Sequence, residues 1–394
     1  MPHPMAKNII FCADGTWNSP DQDENHDELP DPTNVYKLFL HLAGDMDCLS
    51  LLKSNEQEKE LVNAQGQVLQ IAKYLHGVGD SNNAIHKLLG GVFGAGVISR
   101  IVRGYTFISR HYQPGDQIFI IGFSRGAYTA RALAGLIAKR GLLRYGATLS
   151  PERAYAKGAL VWKKHHAQRP SSLLARLADL VNSLNSELSD ETLALDDLRP
   201  VDRIAAVGVW DTVGAMGLPT YARDGERADT FKFADLKLST KVVRGFHAVS
   251  LDEQRPDFAP TLWEPGDNVV QMLFPGAHSD VGGGYPVANN ESGLSDISLA
   301  WMLEQLQSCG LVLQSQLGVP ISPRAVWPMN PDPMGIGHQP WRQPPWDFLL
   351  DKPQSRQFPA HVQAHPSVAQ RCQAACVKAA PNAEPERYAP QNLP

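Results

Sequence analysis

Ser124, Asp211 and His278 are the side chains of this sequence best able to do chemistry together, because each follows directly on an apolar run that reads as a buried strand. A serine hydroxyl is a weak nucleophile until a base takes its proton, and the base must be held in one tautomer by a carboxylate. The three residues supply nucleophile, acid and base in the chain order serine, aspartate, histidine. Such a set attacks an ester carbonyl, forms an acyl-enzyme and lets water cleave it. The oxygen of the tetrahedral intermediate then needs donors aimed at it. One is the backbone N–H of Arg125, and a second is expected from Gly15 or Thr16 in Asp14-Gly15-Thr16. Competing assignments exist among the 13 histidines and the neighbouring carboxylates. His247 is the alternative base, but Val242 to Leu251 reads as helical and would point it away from the strand ends. Asp280 is the alternative acid, with a plainer role bonding N–H groups of the Gly282-Gly283-Gly284 turn. His278 too has a plainer reading, as a turn histidine on that loop, and Asp14 reads as a pin for its own loop.

These groups need a frame that brings strand ends together. Gly122-Phe123-Ser124-Arg125-Gly126 follows the apolar run Ile118 to Ile121 and opens the small-residue segment Ala127 to Ile137. Strand, Gly-x-Ser-x-Gly and helix in that order make a nucleophile elbow, in which a tight turn lifts the serine above the carboxyl ends of a parallel sheet. Further strands are expected at Lys7 to Ala13, Val68 to Leu75, Arg203 to Trp210 and Asn268 to Phe274, with helical spacing from Ile85 to Tyr112. Asp45 to Glu60 is charged and weakly patterned. The alternation predicts an α/β chain, α/β-hydrolase-like, with a mostly parallel sheet and helices on both faces. The catalytic domain is expected over residues 1–314, with 151–202 inserted as a helical cap or lid. Residues 315–394 hold half of the 30 prolines, which excludes long helices and central strands. Trp327, Trp341 and Trp346 in that Pro-rich C-terminal extension suggest that it docks on the body.

A formal net charge of -5, with 43% hydrophobic and 20% charged residues, lacks the basic excess of a nucleic-acid binder. Five scattered cysteines argue against a disulfide framework, and Cys372 and Cys376 have no second pair at zinc spacing, so neither metal nor cofactor is expected. Ile9 to Ala13 is too short for a signal-peptide core, which predicts a cytoplasmic start in the producing cell. The insertion carries Arg153, Lys157, Lys163, Lys164, Arg169 and Arg176 without one acidic residue between them. It continues into Leu173, Leu174, Leu177, Leu180, Val181 and Leu184 at helical spacing. A basic stretch joined to an apolar stripe suits an anionic lipid surface, with Lys163, Lys164 and Arg169 as contacts. The bland alternative is a solvated basic face beside a helix packed on the core.

Four blocks resemble a known family. They are Phe11-x-x-Asp14-Gly15-Thr16-Trp17-Asn18, Gly122 to Arg131, Gly208-Val209-Trp210-Asp211-Thr212-Val213-Gly214 and Pro275 to Tyr285. Together they resemble the α/β-hydrolase domain of the type VI secretion lipase effectors, first family. The resemblance implies a phospholipase of the A type, an antibacterial toxin delivered to the periplasm of a rival cell, with Ser124, Asp211 and His278 as its catalytic residues. It also implies a phospholipid membrane surface as substrate, a secretion-apparatus carrier and a cognate immunity protein. A soluble carboxylesterase and a non-catalytic interaction module on the same fold are the competing expectations.

Overall fold

The run Asn-Ile-Ile-Phe-Cys-Ala forms a strand, β1 (Asn8–Ala13), that is buried from end to end. Ile9, Phe11 and Ala13 enter one apolar cluster and Ile10 and Cys12 another, so both faces of the strand are covered. This is the pattern that a central parallel strand requires. The structure, a computed structural model, describes residues 6–15, 18–23, 27, 29–47, 56–77, 93–166, 192–214, 236–317, 327–343, 347 and 352–394.

Nine strands form one sheet in the order β11-β10-β9-β8-β5-β1-β4-β3-β2. β4 (Val68–Leu75), β5 (Gln117–Phe123), β8 (Ile204–Trp210), β9 (Val242–Ser250) and β10 (Val269–Phe274) run parallel with β1. The short β2 (Asp45–Met46) and β3 (Glu56–Val62) add an antiparallel edge. A separate two-stranded ribbon joins β6 (Leu142–Leu143) and β7 (Leu198–Arg199). Helices α2 (Phe93–His111), α3 (Arg125–Arg140) and α4 (Pro151–His166) supply one apolar layer. The other layer comes from α1 (Asn34–His41) and α6 (Gly293–Ser308), with the five-residue α5 (His278–Gly282) set between β10 and α6. The chain is thus α/β, with a mostly parallel sheet and helices on both faces.

Two segments differ from their sequence reading. Val242 to Leu251 is not helical; it is β9, in which residues 245–250 are all buried. A strand covered on both faces loses the period-2 signature and mimics a buried helix. Asp45 to Glu60 is not patternless, because it contains β2 and most of β3. The inward positions of β3 include Gln57 and Lys59, so its alternation is geometric without being hydrophobic. The buried Lys59 ammonium donates to the carbonyls of Leu40 and Leu42 at 2.9 and 2.7 Å, capping the end of α1.

The first 16 residues of the 151–202 insertion form α4. Arg169 and the leucine stripe from Leu173 to Leu184 lie outside the described residues. In the extension, β11 (Gln363–Ala364) pairs with β10 at the sheet edge and leads into α7 (Pro366–Gln373). Val362 and Val368 pack with Val249, Leu251 and Leu273, and Trp341 is buried, whereas Trp346 lies outside the described residues. This stretch of the extension therefore lies across the carboxyl ends of β9 and β10.

Candidate active site

The turn between β5 and α3 forces Ser124 to φ 56° and ψ −122°, a backbone region that side chains rarely occupy. Holding a residue there costs on the order of 1–3 kcal/mol and needs an over-determined surrounding. Two glycines provide it. A methyl on Gly122 would stand 2.3 Å from the Gly126 carbonyl oxygen, and one on Gly126 would stand 2.1 Å from that of Ala13. The helix start therefore sits directly on the end of β1. Gly126→Ala is expected to destabilise the fold by about 1–3 kcal/mol or more, since the obstruction is backbone and cannot rotate away. Urea unfolding of the purified variant measures this, and an unchanged midpoint would show that the elbow can move off β1.

The serine hydroxyl lies 2.9 Å from His278 Nε2, and His278 Nδ1 lies 2.5 Å from Asp211 Oδ2. With the proton on Nδ1, the ring donates to the carboxylate and its Nε2 accepts from Ser124. Asp211 follows β8 with φ 34° and is wholly buried. His278 opens α5, packed between the rings of Phe123 and Phe258 at 4.6 and 4.9 Å. Its own N–H donates to Glu253 Oε2 at 3.2 Å, and Glu253 is in turn clasped by Arg255. Burial lowers the His278 imidazole from its ordinary value, against the opposing pull of the Asp211 carboxylate, and the ring rests neutral and able to act as a base. Burial alone would raise Asp211, but the Arg356 guanidinium and His278 outweigh it and hold the carboxyl well below the usual carboxylate range.

The loop after β1 is pinned as its sequence suggests. Asp14 accepts from Tyr74 Oη at 2.6 Å, from Thr33 Oγ1 at 2.8 Å and from the Gly15 N–H at 2.7 Å. A methyl on Gly15 would come within 3.4 Å of Ser124 Cβ, so this loop does border Ser124. The Gly15 N–H, however, points to Asp14, which corrects its reading as an oxyanion donor. Thr16 lies outside the described residues. Arg125 is the first residue of α3, and first-turn N–H groups have no carbonyl within their own helix to bond.

The alternatives find other work. His247 sits within β9, accepts the Thr212 N–H on Nε2 at 3.0 Å and faces Gln271 Oε1 at 3.3 Å. Burial and the nearby Arg131 push its imidazole down to about 3, so it stays neutral. Asp280 accepts from the Ala277 N–H at 2.8 Å and meets His338 Nδ1 at 2.6 Å. It therefore ties α5 to the extension, and its partners are not the N–H groups of the triple-glycine turn. Of the cationic set on α4, Lys163 is exposed, while Lys164 Nζ donates to the Leu193 carbonyl at 2.8 Å.

Sequence reasoning missed Arg356. This arginine of the extension donates to Asp211 Oδ1 at 2.7 Å and Oδ2 at 3.0 Å. Gln354-Ser355-Arg356-Gln357 has no periodicity and no neighbouring motif, and the contact spans 145 residues, so no local signal marks it. A cavity of about 280 Å³ also opens between body and extension, lined by residues including Asp252, His338, Arg371 and Tyr388, with Ser124 not among them. No cluster of metal-ligating side chains occurs among the described residues. Among them, too, no helix is long and apolar enough to cross a membrane.

Residues 7–305 match the family model described as T6SS, Phospholipase effector Tle1-like, catalytic domain. A Saccharomyces cerevisiae relative, uncharacterized protein YEL023C, is 27% identical over 281 residues, covering 68% of this chain and 34% of the relative. A crystal structure of an uncharacterized protein from Pseudomonas aeruginosa aligns with 21% identity and a TM-score of 0.41, over 82% of this chain and 48% of that one. A structure of the Tle1 effector bound to the VgrG spike from the type 6 secretion system aligns with 18% identity and a TM-score of 0.38, over 73% of this chain and 52% of the other. The chain thus spans about a third of the curated relative's length and about half of each solved chain.

Proposed function

Because the chain belongs to the Tle1-like phospholipase effectors of type VI secretion, through their catalytic domain, we propose that it is a serine hydrolase cleaving acyl esters of glycerophospholipids. The observation that carries this reading is the relay from Ser124 through His278 to Asp211, with contacts of 2.9 and 2.5 Å at a strained elbow. Ser124 Oγ attacks the ester carbonyl as its proton passes to His278 Nε2. The imidazolium that forms is stabilised by Asp211. Negative charge on the former carbonyl oxygen meets the N–H of Arg125 and the positive end of α3, with Thr16 as the proposed second donor. His278 returns the proton to the leaving alcohol, then activates the water that releases the fatty acid.

A phospholipase A type of cut, at an acyl ester, is the outcome that this chemistry would give on a glycerophospholipid. In the same reading the protein acts as an antibacterial effector in the target-cell periplasm, with a secretion-apparatus carrier and a cognate immunity protein as partners. The basic α4 and the segment after it are the proposed contact with the lipid surface. Mass spectrometry of mixed-head-group phospholipid vesicles incubated with the protein tests the activity. Fatty acid and lysophospholipid released by the wild type and absent with Ser124→Ala are the expected result. Cleavage of a short soluble ester without lipid products would move the assignment to a carboxylesterase, and neither activity would leave an interaction module.

The lid reading makes a separate expectation. Replacing Lys163, Lys164 and Arg169 with alanine should weaken binding to anionic vesicles by about a hundredfold, at roughly 1 kcal/mol per cation. Turnover of a short soluble ester should stay at the wild-type rate. Equal losses in vesicle sedimentation and in ester turnover would reject the lid and indicate a folding defect.

A further inference from the structure

Arg356 does more than neutralise a buried charge. Its two terminal nitrogens fork onto both oxygens of Asp211, and each also donates to a main-chain carbonyl, Nη1 to Ser250 at 2.7 Å and Nη2 to Phe258. Both of those residues support the same pair from other sides. The Ser250 N–H donates to Asp211 Oδ1 at 3.0 Å, and the Phe258 ring packs edge-on against His278. One planar cation therefore holds the carboxylate, the strand end behind it and the ring beside the imidazole. A bidentate guanidinium fixes the rotation of a carboxylate as well as its charge, which an ammonium cannot do.

The plainer explanation is that the ion pair merely docks the extension. Docking has independent supports: β11 pairs with β10, the His365 N–H donates to Leu273, Tyr388 Oη bonds Asp252, and Val362 and Val368 fill an apolar cluster. A buried ion pair is a poor extra fastener, because desolvation of the two charges offsets most of their attraction. Its position on the acid of the relay is what remains to be explained.

We infer that Arg356 is a positioning residue of the hydrolytic site, acting through Asp211 to fix the tautomer and basicity of His278 from outside the matched residues 7–305. The inference rests on the hydrolase reading above. The charged groups facing the His278–Asp211 pair are Arg356 from the extension and Glu253 and Arg255 beyond β9, with Arg131 on α3 and His247 on β9 nearby. Arg356 draws on the Asp211 carboxylate and so limits how strongly that carboxylate stabilises the imidazolium. Removing the cation leaves the carboxylate to His278 and the neutral Ser250 N–H, so the imidazolium gains and the acid limb of the rate profile moves to higher pH.

The test is kcat, KM and the pH profile on a short soluble ester for the wild type, Arg356→Gln and Arg356→Lys, alongside labelling of Ser124 by a fluorophosphonate probe. Arg356→Gln should lower kcat by about 10–100-fold, as expected for a misplaced catalytic group. Its KM should stay within about threefold, since no substrate contact is removed. Its acid limb should move to higher pH, while Arg356→Lys should keep the wild-type limb and recover part of kcat. Wild-type kcat and an unmoved limb in Arg356→Gln would overturn the inference, as would equal losses in both variants with unmoved limbs. If near-ultraviolet circular dichroism shows Arg356→Gln unfolded, Arg356→Lys decides: a natively folded variant with lowered kcat at wild-type KM supports the role, and wild-type kcat, or kcat and KM both impaired, ends it. Failure of the hydrolase reading would look different, with no ester turnover and no probe on Ser124 in the wild type.

Discussion

Ser124→Ala is expected to lower kcat/KM on esters by about 10⁴–10⁶-fold, the scale of losing the nucleophile from a relay that acts as a unit. The residual rate would come from the oxyanion donors and from substrate binding. Stability should barely move, for a specific reason. Alanine keeps the Cβ and so keeps the strain of φ 56° at this position, while losing only the hydroxyl contact at 2.9 Å to His278. The variant should thus unfold within about 1 kcal/mol of the wild type, the net worth of one hydrogen bond. Steady-state kinetics and urea unfolding on one preparation check both halves. Turnover within tenfold of the wild type would remove Ser124 from the mechanism.

Asp211→Asn should damage both activity and stability. The imidazole would lose the carboxylate that selects its tautomer, an exchange that costs about 10⁴-fold in kcat in serine hydrolases with this relay. The wild-type carboxylate is acceptor-only toward four donors: the Ser250 N–H, both terminal nitrogens of Arg356 and the Nδ1–H of His278. An amide must turn its NH₂ toward some of these, and Arg356 would be left buried without its counter-charge. Breaking a buried pair from one side costs about 3–5 kcal/mol. The sign of the pH dependence is fixed by the depressed carboxyl of Asp211. Its stabilisation is complete above the unfolded carboxylate value of about 3.9 and is lost as pH falls through the folded value. The stability gap between wild type and Asp211→Asn should therefore be constant at neutral pH and narrow only below about pH 4. A gap that narrows instead between pH 6 and 8 would show that Asp211 is not the charged partner.

The strands that carry the candidate site are legible in the sequence because central parallel strands are continuous apolar runs, and Ser124 and Asp211 sit directly beyond two of them. The elbow is legible because its glycines answer to backbone crowding, which only the smallest residue can meet. β9 is hidden by its own burial: a strand covered on both faces has no polar side to betray its period. β2 and β3 are hidden by the opposite cause, since polar Gln57 and Lys59 take inward positions at a sheet edge. The role of Asp280 is illegible because its partner His338 lies 58 residues away in the extension. Arg356 is illegible for the same reason, because a long-range ion pair leaves no periodicity on either side.

The clasp between Arg356 and Asp211 also has a meaning in time. A ribosome releases the elbow, the acid and the histidine in that order and the guanidinium last of these. Until the extension docks, Asp211 lacks the cation that the fold sets opposite it. Completion of the candidate site then waits on the docking of a late-made segment. Under the proposed lipid hydrolysis, that delay would keep unfinished chains quiet beside the membranes of the cell that makes them.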